Sequence, residues 1–206
     1  MLRVGLTGGI ATGKSTVASM LRDRQCPVLE ADPIGHELLE PGQAGGDEVV
    51  REFGNDILGP GGRVDRGKLG AMVFADREKR TRLNQILHPR ILDVAREWFV
   101  ALDRPGGPEL AFLEAALIIE AGYNGELDQV VVCWCRPEQQ LARLEERGLS
   151  RDQAERRIAA QMSVDEKRRL ADEVIDCSGS IEETERQVEQ ALDKLKQFAA
   201  SGRNMS

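Results

Sequence analysis

The chain has 206 residues, and its 28 Lys and Arg against 35 Asp and Glu give a net charge of −7. An acidic chain lacks the positive field that attracts nucleic acid or anionic membranes, so we expect neither as a partner. The length suits a single α/β domain, 1–206, with small insertions. The chain starts on a strand that carries Arg3, and no apolar run is long enough to cross a bilayer, so we expect a cytoplasmic protein.

A phosphate-binding motif follows the first predicted strand. Residues 8–15 fit the pattern Gly, four residues, Gly-Lys-Ser, with a short apolar stretch before them and apolar residues at helical spacing after them. In this context of strand, loop and helix, backbone N–H groups and the positive helix end surround phosphates. We therefore predict that the ATP-binding residues are Gly9, Ala11, Thr12, Gly13, Lys14, Ser15 and Thr16. Lys14 is expected to reach the outer phosphates, and the Ser15 hydroxyl to hold Mg²⁺.

The second predicted strand, 27–30, ends just before Asp32. Ligands of open parallel sheets bind at the carboxyl ends of strands, so this carboxylate is placed to take the proton of a substrate hydroxyl that attacks the γ-phosphate. Pro33 is predicted to open a helix that runs to Leu39. The alternative role for Asp32 is the N-cap of that helix, and both roles can hold together.

Residues 43–103 are predicted to be mostly helical, which is too long for one crossover and indicates an inserted helical subdomain. A Gly-rich turn, 59–62, divides it. Asp76 is predicted to cap a long helix toward Leu102, which His88-Pro89 kinks or breaks. By itself, His88 is more typical of a packing residue than of a ligand group.

Two further buried strands, 110–113 and 129–135, follow this insertion. Glu114 ends the first of them, as the acidic residue of a Walker B segment does, and is a candidate for holding Mg²⁺ or its waters. A solvated strand-end carboxylate is the alternative, and Glu120 is a weaker candidate. The cysteines are interpreted as reduced core thiols, two of them on one face of the later strand, with no disulfide or zinc site expected: Cys26, Cys133, Cys135 and Cys177.

Helices are predicted over 137–172, which we interpret as a lid region, with Ser150 and Gln153 forming a capping box and another helix starting near Ser163. Arg143 and Arg147 share one helix face and are predicted to neutralise the transferring phosphoryl group. A salt-bridged helix surface is the alternative, and it explains most of the other basic residues there. A short strand, 173–176, and an amphipathic helix, 181–198, lead to an expected flexible tail at 199–206.

Strands that alternate with helices predict an α/β fold, in which helices cover the parallel sheet core of a P-loop NTPase. A helical substrate-side insertion and a helical lid are the layout of small-molecule kinases, which close over both substrates. A regulatory GTPase is disfavoured, because the sequence contains no Asn/Thr-Lys-x-Asp motif for guanine. Asp32 is also too close to the P-loop to leave room for a switch region.

These motifs resemble the dephospho-CoA kinase family over most of the chain. The matching segments are the P-loop with its flanking Leu6-Thr7, then Glu30-Ala31-Asp32, Leu117-Ile118-Ile119-Glu120 and the lid positions between 140 and 172. Lys68 and His88-Pro89 resemble parts of the family's CoA-side insertion, here 43–103. The chain departs from the family at three positions: Glu30 replaces an Asp, Ala116 a Pro and Cys177 an Asn.

The resemblance implies an ATP-dependent phosphotransferase acting on the ribose 3′-hydroxyl of dephospho-CoA, with Mg²⁺ as cofactor, at the last step of coenzyme A biosynthesis. It further implies that Asp32 contacts this hydroxyl and serves as the base, and that Lys68 and His88 contact the substrate. The departures at Glu30 and Cys177 bear on details of nucleotide contact, and none removes a predicted catalytic residue.

Two rival functions remain. A nucleoside-monophosphate kinase would share the P-loop and lid but have a different acceptor site, and the His88-Pro89 insertion favours the CoA acceptor over it. A non-catalytic nucleotide switch would bind nucleotide without transferring phosphate, and its base-recognition motif is absent. The sequence leaves open a monomer or a small homo-oligomer.

Overall fold

A five-stranded sheet forms the centre of the computed structural model, which describes residues 1–203. Its strands are β1 (Leu2–Gly8), β2 (Val28–Glu30), β3 (Leu110–Glu114), β4 (Gln129–Trp134) and β5 (Glu173–Asp176), in the order β2-β3-β1-β4-β5. β1 pairs in parallel with β3 on one side and β4 on the other, and β4 pairs in parallel with β5. The predicted α/β class is confirmed, and β1 is the central strand.

The helices alternate with the strands along the chain. They are α1 (Lys14–Asp23), α2 (Ala31–Glu37), α3 (Ala44–Phe53), α4 (Arg66–Ala75), α5 (Arg77–Leu102), α6 (Pro137–Glu146), α7 (Arg151–Ala159), α8 (Val164–Arg169) and α9 (Ile181–Arg203), with short 3₁₀ turns at 55–57, 60–62 and 123–126. The predicted caps are confirmed: Asp76 accepts from the Glu78 and Lys79 N–H groups, and Ser150 forms a capping box with Gln153.

The chain divides into two compact units, of which the first comprises 1–29 and the chain from Phe99 onward. Its core is built on the central strands, because β1 and β3 carry large apolar side chains and are buried along almost their whole length. Val4 and Phe112 of these strands pack in one cluster with Val17 of α1 and Leu195 of α9. This packing sets the position of the loop that joins β1 to α1.

The second unit is Glu30–Trp98. It has its own apolar cluster, to which α3, α4 and α5 contribute Val49, Leu69 and Ile86. Asp65 caps α4 by accepting from the backbone N–H groups of Gly67 and Lys68. Residues 43–103 are thus mostly helical, and the assignment of this stretch to the CoA side stays a prediction.

One expectation about a helix start in the second unit is wrong. α2 begins at Ala31 with Glu30 as its N-cap, so Asp32 lies in the first turn and does not cap the helix. Pro33 fits inside that turn because the N–H it lacks would have no partner there. α5 continues through Pro89, so the predicted break is absent from this helix, while the predicted kink stays a prediction.

The C-terminal helix is longer than predicted. α9 runs to Arg203, five residues past the expected end at 198, so residues 199–203 are helical. The rest of the predicted tail, 204–206, lies outside the described residues, and the flexibility expected for 199–206 stays a prediction. Across residues 1–203, no helix combines the length and the apolar character needed to cross a membrane.

Candidate nucleotide-binding site

The phosphate-binding loop connects the central strand to α1. Gly13 is the N-cap of α1 with a φ of 104°, a left-handed conformation that favours glycine. Across residues 1–203, the backbone N–H groups at the start of this helix, from Gly13 to Thr16, have no hydrogen-bond acceptor. The Ser15 and Thr16 side chains are exposed beside them. These donors are the groups that a helix start offers to phosphate oxygens.

Three side chains from the predicted lid region, 137–172, hydrogen-bond to this loop. The Gln140 side-chain amide donates to the Ile10 carbonyl at 2.6 Å, and the Ile10 N–H donates to Gln161 Oε1 at 2.8 Å. The Arg143 guanidinium donates to the Ala11 carbonyl at 3.1 Å. Side chains therefore satisfy both the N–H and the carbonyl group of Ile10. These hydrogen bonds preorganise the loop. The sequence pattern placed Gln140 and Gln161 in the lid but did not identify them as loop contacts.

Lys14 and Glu114 form an ion pair at the edge of the sheet where β1 and β3 end. β3 pairs with β1 so that Leu6 and Glu114 are register partners, which brings the carboxylate beside the loop. Glu114 is 8% exposed, so the interpretation as a solvated strand-end carboxylate is wrong. A buried carboxylate beside the P-loop lysine can hold Mg²⁺ or its waters once phosphates engage the lysine.

The two predicted arginine fingers differ in their surroundings. Arg143 is half-buried, and it also donates to the Cys177 carbonyl at 2.7 Å, so it joins the loop to the segment after β5. Arg147 is the C-cap of α6, and its exposed side chain has no hydrogen-bond or ionic partner in the part of the chain that the structure describes. Arg143 therefore supports the loop, while Arg147 remains available to an incoming anion. Contact of either with phosphate stays a prediction.

A cleft of about 430 Å³ adjoins this segment after β5. Arg136, Ser178, Gly179 and Arg186 are among the residues that line it. The segment lies directly against the loop, because a Cβ placed on Gly13 would come 3.0 Å from Cys177 Cβ. The cleft is therefore lined by residues next to the segment that contacts the loop.

The thiols near the loop belong to the core. Cys133, Cys135 and Cys177 are buried and Cys26 is half-buried, and all four are free thiols outside any disulfide. Burial raises the pKa of Cys135 to about 11. The pKa of Cys133 is raised by its hydrogen bond to Cys177 and by burial. Cys133 and Cys135 therefore stay neutral at physiological pH.

A second ion pair lies in the same unit, and it joins a fully buried lysine to an exposed glutamate. Lys167 of α8 is fully buried, and its ammonium contacts Glu120 Oε1 at 2.9 Å. Burial lowers the pKa of Lys167, and the hydrogen bond to Glu120 opposes this shift. The family resemblance includes Lys167 among the lid positions but does not predict its burial, for which the sequence signal is weak: Lys167 lies three positions after the buried Val164, on the same helix face.

The predicted acceptor-side residues belong to the second unit. Asp32 is exposed in the first turn of α2. The Lys68 ammonium donates to the Leu58 carbonyl at 2.7 Å, a contact within the unit. His88 is half-buried on α5. Their roles toward a substrate stay predictions.

The described part of the chain offers few ligands to a metal. Among residues 1–203 there is no group of three or more His, Cys, Asp or Glu side chains able to hold an ion. Ser15 and Glu114 supply a hydroxyl and a carboxylate near the loop, which are hard oxygen ligands. This donor set fits an ion held mainly by substrate phosphates and water, as Mg²⁺ is in kinases.

Comparisons with known proteins identify the family of this chain. A model of the family described as Dephospho-CoA kinase matches residues 2–183. The dephospho-CoA kinase of Listeria monocytogenes serotype 4b (strain F2365) is 44% identical over 199 residues, which cover 95% of this chain and 96% of the relative. That of Symbiobacterium thermophilum is 46% identical, covering 91% of this chain and 79% of the relative.

Solved structures show the same likeness. A crystal structure from Thermus thermophilus superposes with a TM-score of 0.78 at 34% identity and covers 94% of this chain and 97% of its own. The dephospho-CoA kinase from Campylobacter jejuni superposes with a TM-score of 0.68 at 26% identity, covering 95% and 98%. Because the family model and these relatives span nearly the whole chain, the protein belongs to the dephospho-CoA kinase family.

Proposed function

We propose that this protein transfers the γ-phosphoryl group of ATP to the 3′-hydroxyl of the dephospho-CoA ribose, which yields CoA and ADP and completes coenzyme A biosynthesis. The observation that carries the proposal is the P-loop with its Lys14–Glu114 ion pair, in a chain that matches this family over residues 2–183. The nucleoside-monophosphate kinase alternative is not favoured, because the curated relatives reported above are dephospho-CoA kinases.

The phosphate side of the site binds the nucleotide. The N–H groups from Gly13 to Thr16 donate to the phosphates, and Lys14 moves from Glu114 to the β- and γ-phosphates. Ser15 and Glu114 would hold Mg²⁺ directly or through water. When bound, the ion neutralises charge on the phosphates and orients them for in-line transfer.

Asp32 acts as the general base on the acceptor hydroxyl. Its support is its match to the second acid of the family's Asp-Ala-Asp segment and its place in the first turn after β2. A carboxylate that removes the hydroxyl proton as the oxygen attacks makes the acceptor a better nucleophile. Arg147, with its exposed guanidinium, stabilises the charge on the transferring group, and Arg143 does so while it supports the loop.

The acceptor is held by the helical insertion. We assign Lys68 and His88 to substrate contact within the CoA-side insertion, 43–103, and we assign 137–172 to the lid. Because the Lys68 ammonium is bonded to the Leu58 carbonyl, it must exchange that partner to meet an anionic substrate. We further propose a cytoplasmic protein that works as a monomer or small homo-oligomer.

The test is ADP release by the purified protein with Mg-ATP and one acceptor at a time: dephospho-CoA, CMP, UMP or AMP. We expect release with dephospho-CoA alone, with CoA identified as the product by mass spectrometry. Lys14→Met, which keeps the length of the side chain without its charge, is the matched control and should abolish release. Turnover with a monophosphate nucleotide would assign a different acceptor, and ATP binding without any turnover would favour the switch.

A further inference from the structure

The turn between α7 and α8, residues 160–163, is held on two sides by neighbouring residues. Gln161 Oε1 accepts the Ile10 N–H of the phosphate-binding loop at 2.8 Å. The next residue, Met162, donates its own N–H to Glu120 Oε1 at 3.0 Å. The position of Gln161 relative to the loop therefore depends on where Glu120 holds the turn.

Glu120 is itself fixed from the other side by α8. Its Oε1 contacts the Lys167 ammonium at 2.9 Å, and the same ammonium donates to the Ala116 carbonyl. The Thr7 hydroxyl donates to that carbonyl at 3.2 Å. One buried ammonium thus joins α8 to the segment after β3 and, through Thr7, to β1.

A fully buried lysine is seldom retained for stability alone. Removing the ammonium from water costs free energy that its attraction to Glu120 must offset, and well-packed apolar residues often stabilise a protein equally well. Lys167 is 0% exposed, and burial lowers its pKa, which shows that desolvation opposes its charge. Beyond what apolar packing provides, this ion pair fixes geometry, because its directional hydrogen bonds hold the turn and α8 in one arrangement.

We propose that Glu120 and Lys167 are positioning residues of the nucleotide site, whose ion pair holds the 160–163 turn where Gln161 fixes the Ile10 peptide of the phosphate-binding loop. Neither residue touches substrate. Their effect passes through Met162 and Gln161 to the loop, so it should appear in nucleotide affinity. The proposal rests on the proposed function for its turnover readout only, since nucleotide binding needs no acceptor.

The experiment is a double-mutant cycle on the Kd of Mg-ADP, measured by titration calorimetry with the full chain. Lys167→Met and Gln161→Met are each expected to raise this Kd about 3- to 10-fold, the effect of one lost hydrogen bond. If Lys167 acts through Gln161, the double variant should lose no more affinity than the weaker-binding single variant. An unchanged Kd in Lys167→Met, or losses that multiply in the double variant, would overturn the proposal.

Matched variants separate positioning from general destabilisation. Lys194→Met removes a lysine from the exposed ion pair with Glu173 and should leave the Kd at the wild-type value. Glu120→Gln keeps an oxygen that can accept from Met162 and Lys167, so this variant should bind Mg-ADP nearly as well as wild type. Glu120→Ala should bind Mg-ADP 3- to 10-fold more weakly, which is the effect of about one lost hydrogen bond. If circular dichroism shows that Lys167→Met does not fold, the comparison of Glu120→Gln with Glu120→Ala replaces it. Equal Kd values for Glu120→Ala and wild type would then refute the proposal.

Turnover distinguishes this inference from the proposed function. For variants that fold, we expect the KM for ATP to follow the change in Kd while the KM for dephospho-CoA stays at the wild-type value. A wild-type protein that binds Mg-ADP but does not phosphorylate dephospho-CoA would refute the proposed function and leave the binding cycle intact. If the Lys167 and Glu120 variants lower the Tm but leave the Kd of Mg-ADP unchanged, the positioning role is refuted while the proposed function stands.

Discussion

The Lys14 ammonium at the start of α1 is ion-paired with the Glu114 carboxylate at the end of β3, 100 positions along the chain. Parallel pairing of β3 with β1 creates this contact, because it brings the ends of both strands to one edge of the sheet. Each partner keeps the other's charge satisfied in a largely buried place. ATP phosphates would compete with Glu114 for the lysine and release the carboxylate to a metal ion.

Glu114→Gln should impair metal use more than nucleotide binding. The amide keeps the size of the side chain but loses the charge that attracts a cation, so half-maximal turnover should require about 10- to 100-fold more Mg²⁺. Turnover measured over a Mg²⁺ series at saturating ATP checks this. Glu173→Gln, at the start of β5, is the control on another strand and should keep the wild-type Mg²⁺ dependence. Equal Mg²⁺ curves for wild type and Glu114→Gln would exclude Glu114 from the metal site.

Gly13→Ala should damage both the fold and nucleotide binding. Its φ of 104° disfavours any side chain, and the added Cβ would lie 3.0 Å from Cys177 Cβ. Gly148→Ala is the matched control, since Gly148 has a φ of 87° and no atom within 4 Å of an added Cβ. Backbone strain alone should lower the unfolding free energy of Gly148→Ala by about 1 kcal/mol. Gly13→Ala should lose more and bind Mg-ADP more weakly, as urea unfolding and calorimetry would show.

Arg143→Ala should lower both stability and turnover, whereas Arg147→Ala should lower turnover alone. Loss of Arg143 leaves the Ala11 and Cys177 carbonyls without their donor, so the unfolding free energy should fall by about 2 kcal/mol as turnover falls. Arg147 is exposed, so its loss should leave Tm unchanged and lower kcat roughly 10²- to 10³-fold, as removal of one charge-stabilising donor does. Arg156→Ala, an exposed arginine on α7, is the control. An unchanged kcat in Arg147→Ala would remove this residue from the mechanism.

Asp32→Asn should remove the base and retain ATP binding. The amide cannot accept the hydroxyl proton, so kcat should fall about 10²- to 10⁴-fold while the Kd of ATP stays constant. Asp47→Asn changes the same residue type, also exposed in the first turn of a helix of the same unit, and should keep full turnover. Full turnover in Asp32→Asn would show that another group takes the proton.

Alkaline pH should destabilise the fold in part through Cys135. Burial raises the pKa of this thiol from 9.0 to about 11, so between these values the folded state binds more protons than the unfolded state. The contribution is fully present below pH 9 and is lost as the pH rises through 11. Urea unfolding at a series of pH values should therefore show a shallower alkaline decline for Cys135→Ala than for wild type. Parallel declines would mean that Cys135 ionises alike in both states.

Chain-local features were predictable from the sequence. A strand, a Gly-rich loop and a helix follow one another in residues 2–23, so the phosphate-binding loop depends on neighbours in the chain. The same holds for the caps at Asp76 and Ser150, where a side chain binds N–H groups two or three residues ahead. The start of α2 was misplaced because Pro33 is accepted anywhere in a first turn, so its position does not define the helix start.

The sequence by itself determined the α/β class, the P-loop and the family, because alternating elements and short motifs are encoded by adjacent residues. Only the tertiary structure decided the strand order β2-β3-β1-β4-β5, and with it the Lys14–Glu114 pair and the contact of Gln161 with Ile10. It likewise decided that Lys167, in a strongly charged stretch typical of a surface helix, is buried against Glu120. These contacts join residues far apart in the chain, and packing of the whole unit, not local spacing, selects which distant side chains meet.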